Sequence, residues 1–204
     1  MAATVKRTSP TSLQIIKPDC LVATIYTGET TEKADAPAGD TFIFDEVVRD
    51  TTTISQDDND STTIENEFSD DPILDIVSLG KFQFAAEVAD IQKDILVNFA
   101  NYTYDATAKK LFAPASYQKT YVKVDLVFKN GTDSEGNDKY MSICIPKLQL
   151  NSRLLVESMN SNIARLNLAG TATSVAITAN GKTIKSAAYV NEDFTMPEET
   201  GAGA

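Results

Sequence analysis

The chain has 204 residues with 42% hydrophobic and 23% charged side chains, a composition that fits one folded domain with a sizeable core and excludes global disorder. The net charge is −11 and is mostly local: residues 45–75 hold eleven acids and one base, Arg49, whereas the rest of the chain is nearly neutral. Proteins that bind nucleic acid by charge attraction need a basic surface, so this function class is disfavoured.

Short strands are predicted along the first part of the chain. Residues 1–12 are polar and are interpreted as an arm that lacks the apolar stretch of a secretory signal. Apolar runs at 13–16 and 21–27 flank a turn at Pro18, and a strand pattern resumes at 41–48. No apolar run approaches the length of a membrane span, so we expect no membrane insertion.

Residues 49–72 predict a long acidic β-hairpin arm. Its strands would be 51–55 and 62–68, with the acidic segment 56–61 between them, and the alternating strand 81–88 would return the chain to the core. We expect this arm to contact another subunit, and the alternative is a solvated arm that only maintains solubility. The candidate contact residues are Thr51, Ile54, Asp57, Asp58, Asp60, Ile64, Glu65, Glu67 and Phe68.

A change from alternating to helical spacing predicts one α-helix at about residues 89–100, with Asp90 as its N-cap. This helix would pack on the sheet rather than stand free, because isolated short helices are marginal in water. Its expected packing core is Val88, Ile91, Ile95 and Phe99.

The second half of the chain predicts a connector at 102–116 and then a series of strands. Residues 119–129 and 139–145 alternate clearly and predict a hairpin with a long loop, after which Pro146 predicts an edge or a bend. Asn180 and Gly181 predict a tight turn, and the chain from Asn191 onward is interpreted as a tail that is disordered or bound to a partner. The further strands are predicted at 148–157, 163–170, 175–179 and 182–185.

A second candidate contact surface is basic. Residues 106–129 contain five lysines and one acid, Asp125, and we expect this face to receive the acidic arm of an adjacent subunit. The alternative, which has equal weight, is that the acidic arm and this basic face are both ordinary solvated surfaces. The lysines are Lys109, Lys110, Lys119, Lys123 and Lys129.

Residue types that support catalysis are scarce. The chain has no histidine, which removes histidine-assisted nucleophiles and the commonest metal ligand. Cys20 and Cys144 have no zinc-site spacing and are interpreted as small buried residues, although the sequence leaves a disulfide between them open. Glycine-rich phosphate-binding motifs do not occur.

The carboxylate clusters in the acidic arm do not predict a catalytic or metal site either. Residues 57–61 superficially resemble a calcium loop, but the required glycine and the bidentate glutamate are missing. Paired acids such as Glu65 with Glu67, or Asp70 with Asp71, lie on the predicted arm without a predicted pocket. We therefore expect no enzyme activity, no metal and no cofactor.

These patterns predict a mainly β fold, and the order of elements resembles that of bacteriophage major tail tube proteins. The resemblance covers about residues 13–190, and it is carried by TFIFDEVVRDTTTIS at 41–55, by the acidic arm with DDPILDIVSLGKFQF, and by the helix that follows. The strand pair VKVDLVFKNG and KYMSICIPKLQL and the turn AITANGKTI also match. The resemblance implies a two-sheet β-sandwich or barrel with one flanking helix, in a single domain over residues 1–204.

The same resemblance implies an assembly. Tail tube proteins form hexameric rings that stack into a tube, and the negatively charged lumen conducts double-stranded DNA without binding it. The implied partners are further copies of the chain and other virion tail proteins, namely the terminator, tape measure and distal tail proteins. The implied location is the virion tail, assembled in the host bacterial cytoplasm.

Two kinds of alternative remain. Within the structural class, the chain is another virion neck or tail-terminator component, or the inner tube protein of an injection system such as type VI secretion, which shares this fold. Outside that class, it is a soluble β-sandwich module that binds a ligand, for which the absence of tryptophan disfavours a sugar.

Overall fold

The computed structural model describes residues 18–27, 37–48, 50–66, 69–78, 80–89, 92–116, 118–151, 153–155, 165–179 and 181–198. These residues form fifteen strands and one helix: β1 (Cys20–Ile25), β2 (Thr41–Phe44), β3 (Thr53–Gln56), β4 (Asp60–Asn66), β5 (Ser69–Ser78), β6 (Phe82–Val88), α1 (Lys93–Ala100), β7 (Thr103–Asp105), β8 (Lys110–Phe112), β9 (Thr120–Thr132), β10 (Asp138–Leu150), β11 (Arg153–Leu155), β12 (Arg165–Ala172), β13 (Val175–Ala179), β14 (Lys182–Ser186) and β15 (Tyr189–Phe194).

The mainly β class is confirmed, and the main element is one antiparallel sheet of nine strands. Its principal path is β2-β1-β9-β10-β12-β6-β3, with β15 on β10 and β11 on β12 as side branches. The other six strands pair two by two as the hairpins β4–β5, β7–β8 and β13–β14. The short strand predicted at residues 13–16 lies outside the described residues.

The two ends of the large sheet meet, which makes it a barrel. Just after β2, Val47 forms an antiparallel bridge with Val88 of β6. The amide of Val48 donates to the carbonyl of Glu87 at 2.8 Å, and the amide of Ala89 donates to the carbonyl of Glu46 at 3.1 Å. Residues 41–48 therefore pair with β1 at one end and with β6 at the other.

The barrel interior is filled by alternate residues of its strands and by α1. Buried side chains from β1, β2, β6, β9, β10 and β12 form one core cluster with four residues of the helix, Ile95, Leu96, Phe99 and Ala100. The Phe99 ring packs edge-on against Phe42 and Phe44, with centroid distances of 5.1 and 5.5 Å. The helix thus fills the barrel with apolar surface that would otherwise contact water.

The helix is shorter than predicted. It begins at Lys93, and its N-cap position is Gln92, whose side chain makes no capping hydrogen bond. Asp90 and Ile91 lie outside the described residues, so their predicted roles are not seen. Val88 is buried but belongs to β6, and Ala89 is held in the barrel closure by its hydrogen bond to Glu46. Sheet pairing has therefore overridden the helical spacing at Val88 and Ala89.

The predicted hairpin has a different position. Its first strand, β3, is not part of an arm but pairs with β6 in the main sheet. The hairpin is β4–β5, with Asp60 opposite Ser78 and Asn66 opposite Ser69, so its two strands are not joined at the acidic segment 56–61. The acidic segment instead links the barrel to this hairpin.

The longest strands, β9 and β10, form the predicted hairpin, but Pro146 does not end the second strand. The β9–β10 register shifts between Ile145 and Leu148, which makes Pro146 and Lys147 a bulge. On its other edge, β10 pairs with β15 through Tyr140–Cys144 and with β12 through Leu148–Leu150. Pro146 lies where the partner changes, so its missing N–H costs no ladder hydrogen bond.

The carboxyl-terminal region contains more structure than predicted. The tight turn after β13 is present, with Gly181 at φ 71°, and Val175–Ala179 pairs with Lys182–Ser186. The expectation of a tail from Asn191 onward is wrong for β15, which pairs with β10 and packs Phe194 against Cys20, Val22 and Val127. The predicted connector at 102–116 likewise contains the β7–β8 hairpin.

The packing of α1 gives a direct test. Replacing Phe99 by alanine should lower the free energy of unfolding by about 3–5 kcal/mol, because the aromatic ring is 1% exposed and its loss leaves a cavity. Chemical denaturation of dilute protein measures the change. Phe112→Ala is the matched control: this ring is 50% exposed, so its loss should change the free energy of unfolding by less than about 0.5 kcal/mol. Equal effects of the two substitutions would contradict this packing.

Candidate assembly interface

The acidic residues Asp57 and Asp58, here called the acidic corner, lie in a loop that is fixed to the barrel. The amide of Asp57 donates to the carbonyl of Lys81, and the Asp57 carboxylate accepts a hydrogen bond of 2.7 Å from Gln83. Gly80 makes this close approach feasible, since a Cβ there would lie 1.7 Å from the Asp57 carbonyl oxygen. Both acidic side chains are exposed. The barrel therefore presents two carboxylates at a defined place.

The other predicted contact residues of the arm do not share this surface. Thr51 donates to the carbonyl of Val48 at 2.7 Å and accepts from the amide of Glu87, so it supports the barrel closure. Ile54 is half-buried and packs against the core. Of the remaining residues, Asp60, Ile64 and Glu65 belong to β4, whereas Glu67 and Phe68 lie outside the described residues.

The five predicted lysines do not form one free basic face. Lys123 pairs with Asp125 at 2.8 Å, and Lys129 pairs with Asp138 at 2.7 Å. Lys119 is exposed just before β9. Lys109 and Lys110 lie apart from the sheet, at the turn of the β7–β8 hairpin. The structure thus divides the lysines among two ion pairs within the chain, the start of β9 and a hairpin tip.

A buried polar cluster on β9 and β10 is missing from the predictions. Asp125 is 3% exposed, accepts a hydrogen bond from the Ser142 hydroxyl at 3.0 Å and pairs with Lys123. Partial burial opposes the charge of Lys123, but the hydrogen bond and charge of Asp125 outweigh it, so the pKa of Lys123 is raised. The sequence does contain a signal for this cluster, because Asp125 is a charged residue in the middle of an apolar strand. A charged side chain needs a partner when it is buried.

The nearby residues Lys147, Tyr26 and Tyr121 extend this polar region. The Lys147 ammonium lies 5.1 Å from the Tyr26 ring centroid and 5.3 Å from the Tyr121 ring centroid. The Tyr26 hydroxyl donates to the carbonyl of Pro146 at 2.8 Å, which ties β1 to the bulge in β10. Cation–π contacts of this kind stabilise a lysine that is only 2% exposed. These contacts hold β1, β9 and β10 together.

Both cysteines are buried, as the sequence interpretation expected, and they are free rather than joined in the disulfide that the sequence left open. Burial, together with the nearby carboxylates of Asp45 and Asp19, raises the pKa of the Cys20 thiol to about 11. Burial also raises the pKa of Cys144 to about 12, and Asp125 contributes in the same direction. Thiols with such pKa values stay protonated and are poor nucleophiles.

Exposed apolar side chains concentrate outside the barrel strands. Among the described residues, the large hydrophobic side chains with substantial exposure all lie on the β7–β8 hairpin, on β14 or on β15. Strands β3 and β15 are each paired along one edge only within the described sheet. Exposed apolar groups beside open strand edges are features of surfaces that bind other chains. The exposed residues are Tyr104, Leu111, Phe112, Ile184 and Val190.

The described residues offer little for chemistry on a small molecule. An open cleft of about 500 Å³ is lined by Lys81, Gln149, Asn151, Gly170 and Thr171, a set that contains no carboxylate or thiol. Within the described ranges, no three side chains of histidine, cysteine, aspartate or glutamate come together as metal ligands. No helix in that part of the chain is both long and apolar enough to cross a membrane.

Comparisons with known proteins give a distant structural match. No protein-family model and no curated protein sequence matches the chain. Among solved structures, the crystal structure of an Hcp protein aligns with 82% of this chain and 98% of its own, at 12% sequence identity and a TM-score of 0.31. Such a TM-score carries no argument about fold or function.

The buried ion pair should matter more for stability than the exposed one. Asp125→Asn leaves the half-buried Lys123 ammonium without its counter-charge, so the free energy of unfolding should fall by about 3 kcal/mol. The matched control, Asp138→Asn, removes the partner of Lys129 at the surface, where water screens the charge, and should have little effect. Urea denaturation measures both variants. A control that is as destabilising as Asp125→Asn would contradict the importance of burial.

Thiol burial should also produce a pH dependence. Unfolded cysteines lose their protons near pH 9, whereas the folded thiols keep theirs up to about 11 and 12, so the unfolded state binds fewer protons and stability falls as the pH rises through this window. The free energy of unfolding should therefore decrease between about pH 8 and 10. The double variant Cys20→Ala with Cys144→Ser, which lacks both thiols, should show a smaller decrease, and an unchanged slope would contradict the expectation.

Proposed function

We propose that this protein is a structural, non-enzymatic subunit that assembles with copies of itself into rings, and that the rings stack into a phage tail tube. The observation that carries the proposal is the contrast between a closed, well-filled barrel and the unpaired strand edges and hairpins around it. The barrel needs no partner for its core, whereas the surrounding elements leave backbone groups and apolar side chains exposed.

The strand edges support assembly through backbone hydrogen bonds. Within the described sheet, β3 has β6 as its partner and β15 has β10, which leaves the opposite edge of each strand open. Open edges are ready to pair with a strand of another chain, and closing sheets between subunits removes the risk of uncontrolled aggregation. A ring in which each subunit supplies both members of such a pair satisfies these edges in every copy.

The hairpins support the same conclusion. A two-stranded hairpin is marginally stable in water by itself, yet the described part of the chain has three that are separate from the main sheet. On β7–β8, the side chains of Tyr104, Leu111 and Phe112 are exposed. Burial of such side chains against a neighbouring subunit would stabilise both the hairpins and the assembly.

The charge distribution supports DNA as the transported cargo. Exposed acids on the barrel include Asp45, Glu46 and Asp50, and many copies of these carboxylates would line an assembly. A negatively charged wall repels phosphates at distances up to roughly the Debye length, ~8 Å at physiological salt, so that DNA passes without binding. In the proposed tube this acidic surface faces the lumen.

The proposal has three further parts. The rings have six-fold symmetry, and the tube is assembled in the host cytoplasm and is part of the virion tail. The tube contacts terminator, tape measure and distal tail proteins. These parts are supported by the order of elements along residues 13–190, which resembles that of tail tube proteins. A neck or terminator component would form rings that do not stack, and an injection-system tube would stack without carrying DNA.

Electron microscopy tests the proposal. Purified protein, concentrated and negatively stained, should show six-fold rings or tubes, and sedimentation velocity should show large species that increase with protein concentration. Rings without tubes would favour a terminator role. A monodisperse monomer at all concentrations would refute assembly altogether.

A further inference from the structure

The β7–β8 hairpin exposes apolar side chains on both of its faces. Opposite residues of an antiparallel pair point to the same side, so Tyr104 and Leu111 share one face, whereas Phe112 shares the other with Thr103. Tyr104 is 40% exposed, Leu111 36% and Phe112 50%. A hairpin that only rested on its own barrel would need one apolar face.

The tip of this hairpin is basic. Its turn is closed by the Asp105 carboxylate, which accepts hydrogen bonds from the amides of Thr107 at 2.8 Å and Ala108 at 3.0 Å. Lys109 and Lys110 follow this turn, and both side chains are exposed. The hairpin is thus an apolar element with two ammonium groups beside its turn.

The acidic corner has the complementary charge. Asp57 and Asp58 are exposed, and the bonds to Lys81 and Gln83 hold their loop on the barrel. A fixed loop loses little conformational entropy when a partner binds, which favours association. Opposite charges of this kind also direct the approach of two surfaces and set their register.

We propose that the β7–β8 hairpin docks into a second copy of this chain, with its lysine tip against that copy's acidic corner and its apolar faces covered by that copy. This inference rests on the proposed function and names the surfaces through which the copies meet. Because the two surfaces are different, each copy can bind one neighbour through its hairpin and another through its corner. Such head-to-tail contacts form a ring when the rotation from one copy to the next closes on itself.

A charge-exchange experiment tests the contact. Lys109→Glu with Lys110→Glu makes the tip acidic, and Asp57→Lys with Asp58→Lys makes the corner basic. Each double variant alone then has tip and corner of like charge, and its assembled fraction in sedimentation velocity should fall about tenfold or more. A mixture of the two restores opposite charges at every contact between unlike copies, so assembly should recover. Circular dichroism confirms that each variant is folded.

The control uses the other exposed lysine pair. Lys182→Glu with Lys185→Glu on β14 makes the same change in net charge away from the proposed contact, and assembly should stay at the wild-type level. An equal loss in this control, or no recovery in the mixture, would overturn the proposed contact. Wild-type protein that never assembles would refute the proposed function itself, whereas wild-type and hairpin variants that assemble equally would refute only this inference.

An apolar substitution tests the second half of the contact. Phe112→Ser removes an exposed ring whose burial against another copy would stabilise the complex, so self-association should weaken by about tenfold or more while monomer stability is retained. The matched control is Ile184→Ser on β14, a side chain that is 54% exposed. Unchanged assembly of Phe112→Ser would overturn the docking of the hairpin.

Discussion

The closure of the barrel through residues 46–48 is the contact on which the rest of the structure depends. Two backbone hydrogen bonds and the Val47–Val88 bridge join the segment after β2 to β6. Strand β2, directly before this segment, carries Phe42 and Phe44, which pack against Phe99 of the helix. Closure and helix packing are therefore coupled, because one stretch of chain supplies the hydrogen bonds of the first and the aromatic surface of the second.

The molecule separates the groups that maintain its fold from those that are free to bind. Inside the sheet, the buried charged side chains make internal contacts: Asp125 with Lys123 and Ser142, and Lys147 with two tyrosine rings. Outside it, the hairpins and the strand edges retain exposed apolar side chains and unpaired backbone. This division is expected of a subunit that folds first and then assembles, since its core does not rely on a neighbour.

Sequence reasoning worked where the determining contacts are local. The alternation in β9 and β10 and the Asn180-Gly181 turn predicted their hairpins, because neighbouring residues decide such structures. It failed where pairing is distant along the chain. The partner of β3 is β6 rather than the nearer β4, and β15 pairs with β10 although the four strands β11–β14 lie between them along the chain. The β7–β8 turn has no glycine or asparagine, and Lys109 adopts φ 52° instead, so only Asp105 marked this turn in the sequence.

The change of partner along β10 has a consequence for motion. Strand β15 bonds to Tyr140–Cys144, and β12 bonds to Leu148–Leu150, with Pro146 in the gap. Because β15 and β12 pair with separate parts of β10, β15 can detach while the β10–β12 pairing stays intact. Its amides would then exchange with solvent by a local opening of lower free energy than global unfolding, whereas those of β12 would remain protected until the barrel itself opens.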